Sequence, residues 1–123
     1  MAREHKIIPV YEDGRIYRDF VFIEDVVEAL AAASCSDRPS TTVADIGSGE
    51  PLTLLDLARE IARQADAPEP EITGAFRLGD VRAAFADITD AKDLLGYVPS
   101  TNPAAGVKQL LQWIASQGPE RSD

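Results

Sequence analysis

The chain has 123 residues, enough for one domain, and its 21 Asp plus Glu against 12 Lys plus Arg give a formal charge of −9. Nucleic acid and anionic membrane both need a positive field, so this balance argues against either as the main partner. One cysteine (Cys35) excludes an internal disulfide and a cysteine-based zinc site, and one histidine (His5), in a charged terminus, argues against His-based metal or Ser-His-Asp chemistry built within the chain.

Residues 6–11 form a short apolar run that predicts a strand, with Pro9 pointing to an edge. Asp13-Gly14 supplies the backbone freedom of a turn, and 15–23, rich in aromatic and β-branched residues, predicts a second strand or extended segment. A helix then runs to about Ser34, with Glu24 and Asp25 suited to its first-turn amides and Val26, Val27, Leu30 and Ala31 as its apolar stripe. Cys35 follows as a small, buried or half-buried thiol, and His5 falls in a frayed terminus.

A polar loop at 37–40 contains Pro39, and 41–46 predicts a strand ending in Gly47-Ser48-Gly49. Thr53 opens the clearest helix, with Asp56 making a near-match to a capping box. Leu54, Leu57, Ala58, Ile61, Ala62 and Ala65 form its apolar face, and it ends before Pro68. Residues 71–74 predict a short strand and 76–87 a loop with a brief strand. Thr89 is expected to cap a short helix ended by Gly96, and Asn102-Pro103 starts the last helix. Its core face is Val107, Leu110, Leu111 and Ile114, with Trp113 beside it. Domain 1–117 is followed by a tail, 118–123, expected to be disordered. No run of 18 apolar residues and no signal-peptide core occurs, so the expected setting is cytoplasmic.

Three groups of residues carry chemistry. Arg18-Asp19 lies mid-strand: it is either an ion pair on a sheet edge, or an arginine offering its planar fork of donors to phosphate. Arg77-Leu78-Gly79-Asp80-Val81-Arg82 places two arginines around a glycine, as a surface loop of mixed charge or as a site for an anion. Gly47-Ser48-Gly49 lacks the third glycine of a dinucleotide fingerprint and the Gly-Lys of a P-loop, and reads better as a tight connection.

The order of the motifs says more than any one of them. Val10-Tyr11 before Gly14, Arg18 to Val26, Asp45 to Gly49, Arg77 to Arg82, Ala86-Asp87 and Leu95-Gly96-Tyr97 resemble the extended short-chain dehydrogenase/reductase family. The likeness is greatest to its NAD-dependent nucleotide-sugar 4-epimerases and dehydratases, those acting on dTDP-rhamnose or UDP-glucose among them. The resemblance implies an α/β fold, a partial Rossmann-like frame with a small sheet and flanking helices. It also implies that Arg18 and Arg77 contact a nucleotide diphosphate, that Asp80 bonds the ribose, and that Val10 and Tyr11 meet the nucleobase. Glu12 stands where relatives often carry glycine.

Family members also carry a Gly-rich turn for NAD and a Tyr-x-x-x-Lys pair that supplies the base. Neither occurs in these 123 residues: Tyr11, Tyr17 and Tyr97 are followed four positions later by Arg15, Val21 and Thr101. The expectation is therefore a C-terminal, substrate-gripping portion with no catalytic residues, no cofactor site and no metal of its own. It would be incomplete as an enzyme by itself and would work beside an NAD-binding half. The alternative is a non-catalytic module for binding a ligand or a protein, and a third reading makes Arg18 and Arg77 ion-paired relics. Exposed strand edges and apolar helix faces would favour homo-oligomers or association with the NAD-binding half.

Overall fold

The computed structural model describes residues 4–36 and 43–117. The loop expected at 37–40, the first two residues of the strand expected at 41–46, and the tail from 118 lie outside them. In chain order the elements are β1 (Pro9–Val10), β2 (Tyr17–Asp19), α1 (Ile23–Ser34), β3 (Pro51–Thr53) and α2 (Leu54–Gln64). They continue as β4 (Glu71–Ile72), β5 (Ala83–Ala84), α3 (Thr89–Leu95) and α4 (Pro103–Ser116). The arrangement is a small α/β one, as the sequence implies, but its strands divide between two sheets.

One sheet pairs β1 with β4 in parallel, Pro9 opposite Glu71 and Val10 opposite Ile72. Its ladder uses the carbonyls flanking Pro9: Ile8 accepts from Glu71 N–H at 3.0 Å and Val10 from Thr73 N–H at 2.9 Å. Neither bond needs the N–H that proline lacks. The other sheet has the order β3-β2-β5, antiparallel between β2 and β3 and parallel between β2 and β5. The Arg18-Asp19 pair thus sits on a central strand, not on an edge.

β3 went unread in the sequence because Pro51 looked like a connector and Thr53 like a cap. Thr53 does both jobs. It pairs with Tyr17, and its Oγ1 accepts from Asp56 N–H at 3.0 Å while donating to the Asp56 carboxylate at 2.6 Å. The α2 face expected from periodicity is the buried one, with Ala58 and Ala62 deepest. Asn102 Oδ1 caps α4 through Ala105 N–H at 2.9 Å, with proline in the first turn. Gly96 ends α3 at φ +67, the left-handed geometry that glycine adopts at no steric cost.

Several expectations fail for physical reasons. The expected face of α1 is turned largely outward: Val27, Leu30 and Ala31 are exposed and Val26 is half-buried, while Asp25 and Ala29 are buried. Asp25 is needed inside, as its bonds described below show. Residues 43–46 form no strand, and Val43 is exposed. On α4, Val107 is buried, whereas Leu110 and Trp113 are exposed. Thr89 is not the cap of α3; its N–H and hydroxyl both donate to Asp87 Oδ1, at 3.0 and 2.6 Å. Cys35 is exposed at the end of α1 rather than buried. His5 is tied down, its Nδ1 2.8 Å from the carbonyl of Asp66.

The central apolar cluster is small: Ala29, Ile88, Ala91 and Tyr97, with Ala44, Ile46, Ala86 and Leu95 against it. Hydrogen bonds to two carboxylates and one phenol do much of the remaining fastening. Tyr97 Oη donates to the Gly47 carbonyl at 2.8 Å. Asp25, 2% exposed, accepts from Ser100 N–H and Oγ at 2.9 and 2.8 Å and from Thr101 N–H at 3.2 Å. Burial pushes the Asp25 carboxyl up, but these donors outweigh it and hold it below the usual range.

Candidate functional site

Between β1, α2 and the segment after β4 lies a cavity of about 410 Å³. Its floor is apolar, formed by Val10, Ile16, Leu57 and Ile61. Tyr11, Arg77 and Asp80 supply the polar groups. Four of the five binding residues implied by the resemblance, Val10, Tyr11, Arg77 and Asp80, are therefore neighbours here. They come from segments more than 60 residues apart in sequence, and the parallel β1–β4 pairing is what brings those segments together.

The spacing of Arg77 and Asp80 has a local cause. Asp80 N–H donates to the Arg77 carbonyl at 3.2 Å, closing a four-residue turn whose third position is Gly79 at φ +91. Such a turn needs positive φ at that position, which explains the glycine between the two charged residues. A Cβ at Gly79 would meet no neighbour, so backbone geometry rather than crowding selects it. The turn sets Arg77 and Asp80 at its two ends. The guanidinium of Arg77 lies over the Tyr11 ring, 5.5 Å from its centroid, a cation–π placement that keeps its edge donors free.

Arg18 is the fifth residue and does not line the cavity. Strand alternation puts it on the same face as Ile16, which does. Its Nη1 donates to the carbonyl of Tyr17 at 2.7 Å. Among the described residues neither Arg18 nor Arg77 forms an ion pair, so the picture of ion-paired relics does not hold. Arg82, the second arginine of that motif, is instead held by Glu12 and Asp13.

Asp19 does not pair with Arg18 either. Its carboxylate accepts from Ser48 N–H at 2.7 Å and from Gly49 and Ala86 N–H at 3.3 Å each. Burial raises this carboxyl, yet the hydrogen bonds from Ser48, Ala86 and Gly49 together hold it below the ordinary range. Gly47 is required by close approach: a Cβ there would fall 2.4 Å from Asp19 Oδ2 and 2.6 Å from Ala86 Cβ. The turn's amides are thus engaged by an anion that the fold itself provides. A dinucleotide pyrophosphate would meet the Ser48 and Gly49 amides already engaged and a facing negative charge, so Gly47-Ser48-Gly49 does not fit NAD. This agrees with reading it as a tight connection.

The aliphatic wall of the cavity was missed in the sequence, although the α2 stripe containing Leu57 and Ile61 was visible. A stripe signals burial; it does not show which part of the stripe faces a cavity. Among the described residues no group of three or more His, Cys, Asp or Glu could hold a metal ion, and no helix is long and apolar enough to cross a membrane.

No protein-family model matches the chain. Curated proteins do: it is 44% identical to dTDP-L-rhamnose 4-epimerase of Burkholderia thailandensis over 95% of this chain and 32% of that protein. Over most of its length the chain is thus homologous to part of the nucleotide-sugar 4-epimerases. It is 31% identical to UDP-glucose 4-epimerase of Mycolicibacterium smegmatis over 88% of its length and 34% of that relative. It thus spans about a third of the length of these epimerases. UDP-glucose 4-epimerase from Thermotoga maritima, solved with UDP-glucose, superposes with a TM-score of 0.79 at 29% identity, covering 94% of this chain and 37% of that one. An epimerase from Methanothermobacter thermautotrophicus shares the fold with a TM-score of 0.87 at 24% identity, over 94% and 35% of the two chains.

Proposed function

We propose that the chain is the nucleotide-sugar-binding part of an NAD-dependent sugar 4-epimerase or dehydratase, taking a dTDP- or UDP-sugar. The observation that carries this is the cavity between β1 and α2, where an apolar floor meets Tyr11, Arg77 and Asp80. An aromatic ring beside an apolar floor suits a nucleobase, a short carboxylate suits ribose hydroxyls, and a guanidinium fork suits a diphosphate. Arg18 would join from the neighbouring strand face as a second diphosphate contact. The Thermotoga relative, solved with UDP-glucose, supports this class of ligand.

In this reading these residues bind and orient the nucleotide. NAD chemistry would come from an NAD-binding half. A non-catalytic module that only binds a ligand or a protein is the second reading, which Tyr11, Arg77 and Asp80 around one cavity would equally serve. The exposed α1 face of Ile23, Val27 and Leu30 supports association, with a second copy or with the NAD-binding half. An exposed thiol at Cys35 suits the reducing cytoplasm.

Calorimetric titration with UDP, dTDP and their sugars tests the reading. One of these should bind, and Arg77→Ala should weaken it about tenfold or more, as loss of a charged hydrogen-bond partner does. A wild-type chain that binds none of them rules the reading out.

A further inference from the structure

The segment 74–82 carries Arg77 and Asp80, yet the body of the protein does little to hold it. Every residue from 71 to 85 is exposed, and Gly74 and Gly79 both have positive φ with no neighbour within 4 Å of an added Cβ. Exposed backbone with such glycines samples many conformations unless it is fastened. The fastenings run to the turn after β1 and to the first residue of β2. Glu12 N–H donates to the Ala75 carbonyl at 2.7 Å, and Tyr17 N–H donates to the Arg82 carbonyl at 2.9 Å. Between these two points the side chain of Arg82 reaches back, Nη1 to Glu12 Oε2 at 3.0 Å and Nη2 to Asp13 Oδ2.

The turn is organised to present both acids. Asp13 Oδ1 accepts from Arg15 N–H at 3.0 Å, which leaves Oδ2 for Arg82. Glu12 holds φ +53, a conformation non-glycine residues seldom adopt. Glycine would sit there without strain but would bring no carboxylate. One planar guanidinium bound by two carboxylates is more directional than a lone surface pair.

We propose that Arg82 is a positioning residue, clamped by Glu12 and Asp13 so that the 74–82 segment holds Arg77 and Asp80 at the rim of the cavity. The effect on ligand binding rests on the proposed nucleotide reading of that cavity; the effect on segment order does not. The pairing holds the Asp13 carboxyl below its usual range, chiefly through its hydrogen bond with Arg82, so the clamp is charged at neutral pH.

The test compares backbone amide order parameters at 77–80, together with UDP and dTDP titration, in the wild-type chain and three variants. These are Arg82→Gln, Arg82→Lys, and the double variant Glu12→Gln with Asp13→Asn. The wild-type amides should be near 0.85, falling toward 0.6 in Arg82→Gln and in the double variant, with Arg82→Lys, a single point charge without the planar fork, recovering only part of the way. Unfolding midpoints should not move, and UDP affinity should fall about fivefold in the two loosened variants. Unchanged order in Arg82→Gln overturns the proposal whatever UDP does. Loosened amides with unaltered UDP affinity overturn the positioning role. Wild-type protein that does not bind UDP or dTDP refutes the nucleotide reading, and the order parameters still decide the clamp.

Discussion

Two kinds of carboxylate-centred fastening hold this protein together. Asp19 and Asp25 are drawn into the body, where backbone amides and a hydroxyl converge on them. Glu12 and Asp13 face solvent and hold a guanidinium on an exposed segment. The first kind replaces hydrophobic mass that a small core lacks, so losing it leaves buried donors unpaired. The second leaves stability almost untouched and decides where two side chains stand. A carboxylate's role here follows from what it faces, amide or arginine, and from how far solvent reaches it.

The contrast can be broken by substitution. Asp25→Ala should have the largest effect, about 3 kcal/mol of unfolding free energy in a denaturant titration, because Ser100 and Thr101 donors lose their acceptor. A loss under about 1 kcal/mol would show that solvent satisfies them and that Asp25 is no internal fastening. Gly47→Ala comes next, at about 2 kcal/mol, since its methyl must displace the Asp19 carboxylate or Ala86. An unchanged denaturation midpoint would mean the turn yields freely.

Acid sharpens the same comparison. Asp19 and Asp25 are held below the 3.8 of a free aspartate, so their contribution is complete above about pH 4 and is lost as pH falls through their folded values. Stability followed by circular dichroism should drop steeply below pH 4. It should drop less steeply in the Asp19→Asn, Asp25→Asn double variant, and an identical slope would remove these two groups as the cause. Smallest of all, Val27→Glu should leave the fold intact while dispersing any assembly seen in light scattering, because Val27 is 55% exposed on the outward face of α1. Assembly that persists would place the contact elsewhere.

Much of this was legible in the sequence where the signal is local. Caps at Thr53 and Asn102, the stop at Gly96 and the stripe of α2 all rest on residues within a few positions of one another. The Arg77-Leu78-Gly79-Asp80 turn was also visible as a pattern, and its glycine meets the turn's need for positive φ. What escaped is long-range. Asp19 binds amides 29 and 67 positions away, and Asp25 binds donors 75 and 76 positions away, so each looked like a local charge. The same distance hid β3, which is a strand because of β2. The face of α1 was misread because the apolar stripe competes with a buried aspartate whose partners come from the far end of the chain.

The central claim is that the cavity beside β1 takes a nucleoside diphosphate through Arg77. Titrating UDP into the wild-type chain and into Arg77→Ala tests it most directly. Saturable binding to the wild type that weakens about tenfold or more in the variant is the expected result. Equal affinity in the two proteins, or a wild type that binds neither UDP nor, in a parallel titration, dTDP or the sugars of either, would contradict it.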